Sequence, residues 1–123
     1  MSTVPLHDLL EQVREVGTSD LSAAGVADLF GLQHKELAKI ARVHCNTIRR
    51  RHNSPKLQAI LRDLMRVLAA ASSIQPDMSR TFFLIKNVPI PAFRHKTVLQ
   101  LVGEDRTDDA VDYLSSIGSG FAG

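Results

Sequence analysis

Between Pro55 and Ser72 the chain places Leu57, Ile60, Leu61, Leu64, Met65, Leu68 and Ala71 in a repeating i, i+3, i+4 pattern. Only a helix gathers side chains so spaced onto one face; a strand would divide them between the two sides of a sheet. Pro55 suits the opening of such a helix, because its fixed φ is already helical and the residue before it is biased out of helix. The spacing therefore predicts a helix from Pro55 to about Ser72. A stripe this long has to be covered, by a core or by a coiled-coil partner, and core packing is the commoner use. This one segment commits the chain to packing helix on helix.

The rest of the sequence keeps the same period. Leu6, Leu9, Leu10, Val13 and Val16 predict a first helix entered after Pro5, with Gly17 as its natural stop. Ser22 is placed to cap a second helix with Val26, Leu29 and Phe30 inward and Gly31 at its end. Leu37, Ala38, Ile40 and Ala41 mark a third, and a fourth lies around Thr47 to Arg51. Beyond Pro76 a short helix carries Phe82, Phe83 and Leu84; Pro89 and Pro91 then force an extended connector. Thr97, followed three residues later by Gln100, matches a capping box and starts another short helix. Thr107, with Asp108 and Asp109 behind it, opens the last one, with Val111, Leu114 and Ile117 inward. No strand or internal repeat emerges, and the expected class is all-α. With 44% hydrophobic and 23% charged residues over 123 positions, one ordinary core is within reach. The expected organisation is residues 1–54 as N-terminal helices, 55–75 as a long connecting helix and 76–123 as a C-terminal domain.

Charge is laid out in blocks. Residues 1–33 hold one base and five acids, 34–66 nine bases and two acids, 67–100 four bases and one acid, and 101–123 one base and five acids. A basic middle between acidic ends points to an anionic partner for that middle, although solvated helix faces can produce the same count. Residues 36–51, ELAKIARVHCNTIRRR, add a layout to the charge. Leu37 and Ile40 are apolar positions of a first helix, Val43 plugs a turn and Ile48 anchors a second helix, which is the arrangement of a helix-turn-helix. His44, Asn46, Thr47, Arg49 and Arg50 are then left outward. Arginine can bond a guanine bidentately, asparagine an adenine, and threonine can touch a phosphate or a thymine methyl. Lys35, Lys39, Arg42 and Arg51 are candidates to neutralise phosphates. Arg42 takes the turn position usually held by glycine, so it must avoid or tolerate positive φ. Arg51 stands where an apolar residue usually faces the first helix.

The C-terminal forty residues, LIKNVPIPAFRHKTVLQLVGEDRTDDAVDYLSSIGSGFAG, resemble the toxin-binding domain of Xre/MbcA/ParS-type antitoxins. An aromatic-bearing helix, a proline- and asparagine-bearing connector, a capped turn of helix at Thr97 to Val102 and a last helix at Val111 to Ile117 follow in the family's order. The likeness covers about residues 20–123, since family members carry an Xre-like helical DNA-binding region upstream. Val98 replaces the proline usual after the capping threonine, and Arg94 and His95 replace the glycines usual before it. The resemblance implies an antitoxin paired with a RES-domain toxin that degrades NAD, whose active site the C-terminal domain covers. It also implies that the complex represses its own operon, and that the chain is a homodimer within a larger assembly.

On that reading Tyr113, Ile117, Gly120 and Phe121 contribute to the toxin-binding surface, with Arg94 and Lys96 as polar neighbours. A phenylalanine between glycines can thread a cleft, and burying its side chain would contribute about 1.5–3 kcal/mol. The expectation is that Phe121 moves freely in the free protein and is buried in the complex; the alternative is that it closes its own core. The competing function is a stand-alone helix-turn-helix repressor whose C-terminal part only dimerises.

Other chemistries find little support. His7, His34, His44, His52 and His95 with Cys45 do not assemble a zinc-ligand spacing, and neither metal nor cofactor is expected. Cys45 reads as a buried or half-buried turn residue. Glu104, Asp105, Asp108 and Asp109 sit around a turn and a helix start, where capping and dipole terms account for them, and an enzyme is not expected. A lone cysteine and an N-terminus without the basic start and apolar run of a signal peptide suggest the cytoplasm. No stretch approaches the roughly 20 apolar residues of a membrane span.

Overall fold

The computed structural model describes residues 6–14, 20–51 and 53–118. They form eight α-helices and one 3-10 turn: α1 (Leu6–Val13), α2 (Ala23–Phe30), α3 (His34–Ala41), α4 (Cys45–Arg50), α5 (Pro55–Ser72), α6 (Met78–Asn87), Pro91–Phe93 as the 3-10 turn, α7 (Val98–Gly103) and α8 (Thr107–Gly118). Extended pairing among the described residues is limited to two isolated bridges, Arg14 with Leu21 and Ile90 with Lys96. The all-α class therefore holds. No helix among the described residues is long and apolar enough to cross a membrane.

Close contacts divide the chain into two units that meet within α5, one spanning Pro5–Arg62 and the other starting at Asp63. In the N-terminal unit α2 packs against α1, α3 and α4, and α3 packs against α4. Val26, Ala27 and Phe30 of α2, Leu37, Ala38 and Ala41 of α3, Ile48 of α4 and Leu57 and Leu61 of α5 are buried. The second helix starts and stops as its sequence predicts. The Ser22 hydroxyl accepts the Gly25 N–H at 2.9 Å, and Gly31 turns left-handed at φ 68°, which costs glycine almost nothing.

The first helix differs from expectation. It ends at Val13 rather than running on to Gly17. The Val13 carbonyl accepts the Ser22 N–H, and Arg14 pairs antiparallel with Leu21, so the chain leaves the helix to meet a returning segment. That segment is held from the other side by Gln58, buried on α5 with 3% exposure. Its amide oxygen accepts the Leu21 N–H and its amide nitrogen donates to the Leu21 carbonyl, each at 2.9 Å. One side chain thus completes both backbone groups that Leu21 turns away from its pairing with Arg14.

In the C-terminal unit the stripe on α5 continues through Leu64, Met65, Leu68 and Ala71, all buried, joined by Val67. Ile85, Ile90, Val98, Leu101, Val102, Ala110 and Leu114 complete the core. Thr107 is buried at the start of α8, its hydroxyl donating to Asp63 at 3.1 Å. Arg66 bonds Asp108 at 2.8 Å beside it, and this hydrogen bond leads the causes that raise the guanidinium's pKa above its ordinary value. The α7 capping box forms as expected, with Thr97 Oγ1 accepting the Gln100 N–H at 3.1 Å and Gln100 Oε1 accepting the Thr97 N–H at 2.8 Å.

Two expectations are corrected here. Ile117 was expected inward, but it is 41% exposed, and Ala110 and Leu114 carry the buried face of α8. The connector after α6 is extended only from Val88 to Ile90. There it folds back, because Ile90 is buried and exchanges backbone hydrogen bonds with His95 and Lys96.

Candidate functional site

The helix-turn-helix layout appears as α3, a turn at Arg42–His44, and α4, both helices seated on α2. Glu36 is the one carboxylate between residues 34 and 62, against eight lysines and arginines. It is spent on the helix start, accepting the Gln33 N–H at 2.8 Å. The turn then imposes left-handed geometry on Arg42, at φ 58° and ψ 45°. Its N–H and that of Val43 close the end of α3 on the carbonyls of Lys39 and Ala38. A side chain in that region costs about 1–2 kcal/mol, which these two backbone closures and the buried Ala38 and Ala41 must hold in place.

Arg42→Gly should therefore raise the unfolding free energy by about 0.5–1 kcal/mol, part of the relief being lost to glycine's greater freedom when unfolded. Urea denaturation measures this; a drop in stability would show that the arginine side chain holds the turn.

His44 caps α4, its Nδ1 accepting the Asn46 N–H at 3.1 Å. Ile48 is the helix's buried anchor. Asn46, Arg49 and Arg50 are exposed, Thr47 is half-buried, and Arg49 donates to Asn46 Oδ1 at 3.3 Å. Arg51 is not the apolar packing residue that its place in the pattern calls for. It lies past the end of α4 as an exposed cap at φ −128°, so its charge never meets the core. Five of the sequence-selected residues, His44, Asn46, Thr47, Arg50 and Arg51, line one open depression of about 420 Å³. Lys35 and Lys39 are exposed on α3 outside that lining. Among the described residues, Lys35, Lys39, Arg49, Arg50 and Arg51 form no ion pair. Cys45 is half-buried at the first position of α4. A surface carrying hydrogen-bonding amide and imidazole groups among uncompensated guanidiniums is suited to a polyanion.

The C-terminal unit treats its cations differently. Arg66 pairs with Asp108 at 2.8 Å, Lys96 with Glu104 at 2.6 Å, Arg106 with Asp109 at 2.9 Å and Arg80 with Asp77 at 3.8 Å. Of the residues expected on a toxin-binding surface, Lys96 is thus held by its own unit. Tyr113 is half-buried and meets the Phe93 ring edge-on, with centroids 6.0 Å apart. Arg106 lies over the same ring, 5.0 Å from its centroid, a cation–π geometry. Arg94 is exposed next to Phe93 in the chain, and Ile117 lies one turn beyond Tyr113 on α8. Gly120 and Phe121 lie outside the described residues. Phe93 and Arg106 are not among the residues expected at a binding surface, and His95 is noted there only as a replacement for glycine; a single aromatic between two helices, flanked by prolines and bases, is the available signal for Phe93. Among the described residues no cluster of His, Cys, Asp or Glu is arranged to hold a metal ion.

No protein-family model matches the chain, and no curated protein matches it significantly. Among solved structures, the chain is similar to one in the crystal structure of the M. tuberculosis MbcT-MbcA toxin-antitoxin complex. The TM-score is 0.61 at 16% identity, over 80% of this chain and 92% of that one. At that identity the likeness is one of fold.

Proposed function

We propose that this chain is the antitoxin of a toxin–antitoxin pair. In this reading the C-terminal unit binds and covers the active site of a partner enzyme, and the N-terminal unit binds operator DNA and represses the shared operon. The observation that carries the proposal is a fold that runs over 80% of the chain and recurs in a toxin-antitoxin complex. The cations of α3 and α4 support the DNA-binding half, because Lys35, Lys39, Arg49 and Arg50 are exposed and form no ion pair among the described residues. The finer assignments rest on the resemblance of the C-terminal forty residues. They are a RES-family, NAD-degrading toxin as partner, homodimerisation within a larger complex, and a cytoplasmic setting without cofactor or catalytic activity of the chain's own.

The binding role of the last residues gives the direct test. Coexpressed with the protein encoded by the adjacent reading frame, the full chain should keep cellular NAD at its normal level and co-purify with that protein. A chain lacking residues 118–123 should keep its helical circular dichroism yet let NAD fall. Neutralisation by the truncated chain would make the tail dispensable. Absence of any co-purifying neighbour would favour a stand-alone repressor whose C-terminal unit only dimerises.

A further inference from the structure

Arg94 and His95 are consecutive non-glycine residues in left-handed backbone, at φ 57° and φ 63°. Isolated left-handed residues occur in many turns, but an L side chain there is disfavoured at each position, and two in succession double the penalty. The turn is not loose. The Phe93 and His95 N–H groups both donate to the Ile90 carbonyl at 2.9 Å, the Arg94 N–H to Pro91 at 3.3 Å, and the Lys96 N–H to Phe93 at 3.1 Å. Ile90 in turn donates to the Lys96 carbonyl at 2.9 Å and is itself buried at 3% exposure. Backbone and anchor therefore demand the left-handed turn, and glycine would satisfy that demand without strain. The two side chains contribute nothing visible to the fold: both are exposed, and neither forms an ion pair among the described residues. Arg94 is the contrast to Arg66, Arg80, Lys96 and Arg106, each of which is tied to a carboxylate of the same unit.

We propose that the Arg94–His95 turn is a rigid contact point for an acidic patch on the protein partner. Arg94 supplies the cation and His95 an adjacent ring donor, both presented on a strained backbone whose N–H groups from Phe93 to Lys96 are all hydrogen-bonded. Strain of this kind persists at positions whose side chains serve something outside the fold. A protein is favoured over a nucleic acid as the owner of the acidic patch because the turn leads out of the Phe93–Tyr113 aromatic pair, and aromatics with arginine are the residues enriched at protein interfaces. The proposal rests on the antitoxin reading above and adds a residue-level contact to it.

The test separates stability from binding. In the full chain, Arg94→Gly and His95→Gly should each raise the thermal midpoint by about 2–6 °C, because the backbone strain is relieved. Affinity for the purified neighbour-encoded protein, measured by calorimetry, should fall about tenfold for Arg94→Gly and further for the pair. Arg94→Asn, which tolerates the left-handed region without charge, should lose the same affinity, whereas Arg94→Lys should retain most of it and show the stronger salt dependence. Unchanged partner affinity in the stabilised double variant would overturn the proposal. So would a loss confined to DNA affinity, which would assign the cations to a nucleic acid. A wild-type chain that binds no neighbour-encoded protein would sink the antitoxin reading and this one with it.

Discussion

Replacing Gln58 with leucine is expected to cost the protein roughly 2–4 kcal/mol of unfolding free energy, a large part of the ~5–15 kcal/mol of a typical domain. Leucine is similar in size and more apolar, so volume and burial alone would predict a neutral or favourable change. The cost arises because the Leu21 N–H and carbonyl both rely on the Gln58 amide, at 2.9 Å each, and Leu21 is buried at 8% exposure. Each buried group left unpaired forfeits about 1–3 kcal/mol. Urea denaturation followed by circular dichroism measures the loss, and hydrogen exchange at the Leu21 amide reports whether its protection goes with it. A loss below ~1 kcal/mol would mean that water reaches Leu21 once the amide is gone.

Arg49→Ala combined with Arg50→Ala should weaken binding to the chain's own upstream DNA on the order of a hundredfold, since each bidentate arginine–base contact is worth ~1–3 kcal/mol. Both residues are exposed on α4, whose buried anchor is Ile48, so stability should stay within about 0.5 kcal/mol. The slope of log affinity against log salt concentration should become shallower by up to about two where the arginines meet phosphates, and change less where they meet bases. Fluorescence anisotropy over a salt series reads both quantities. Neutralisation of the partner should be unaffected, because these residues belong to the other unit. Unchanged DNA affinity would remove α4 as a reading helix and leave its cations as solvated surface.

The helices of this chain were legible because their signals are local. Pro55 and the stripe after it set the limits of α5, Ser22 and Gly31 bound α2, and the Thr97–Gln100 reciprocal bonds start α7, each decided by groups within a few residues. The positions of Lys35, Lys39, His44, Asn46, Arg49 and Arg50 on or next to two consecutive helices follow from the same local period. What escaped is what depends on distant residues. Gln58 looks like an ordinary polar break in an apolar stripe until Leu21, 37 positions away, is brought to it. Thr107 reads as an N-terminal helix signal, and its burial against Asp63 needs α5 and α8 to meet. Ile117 keeps helical register with Leu114 yet remains exposed, because amphipathic period assigns a face and not how far a neighbour extends along it.

Backbone at positive φ divides along the same line. Glycine at position 31 announces its own left-handed cap. Arginine at 42 and 94 and histidine at 95 do not announce theirs by residue type, since their intrinsic preference is for the opposite region; only their place where a pattern usually has glycine points to it. By itself, then, the sequence determined an all-α chain, its helix limits from Pro55 onward and a concentrated basic segment, because propensity, capping and charge act over one or two turns. Only tertiary structure decided which polar side chains serve the core, which turn carries strain, and which cations form no ion pair among the described residues. Those outcomes depend on packing between residues tens of positions apart, where burial and the need to pair every buried polar group override local preference.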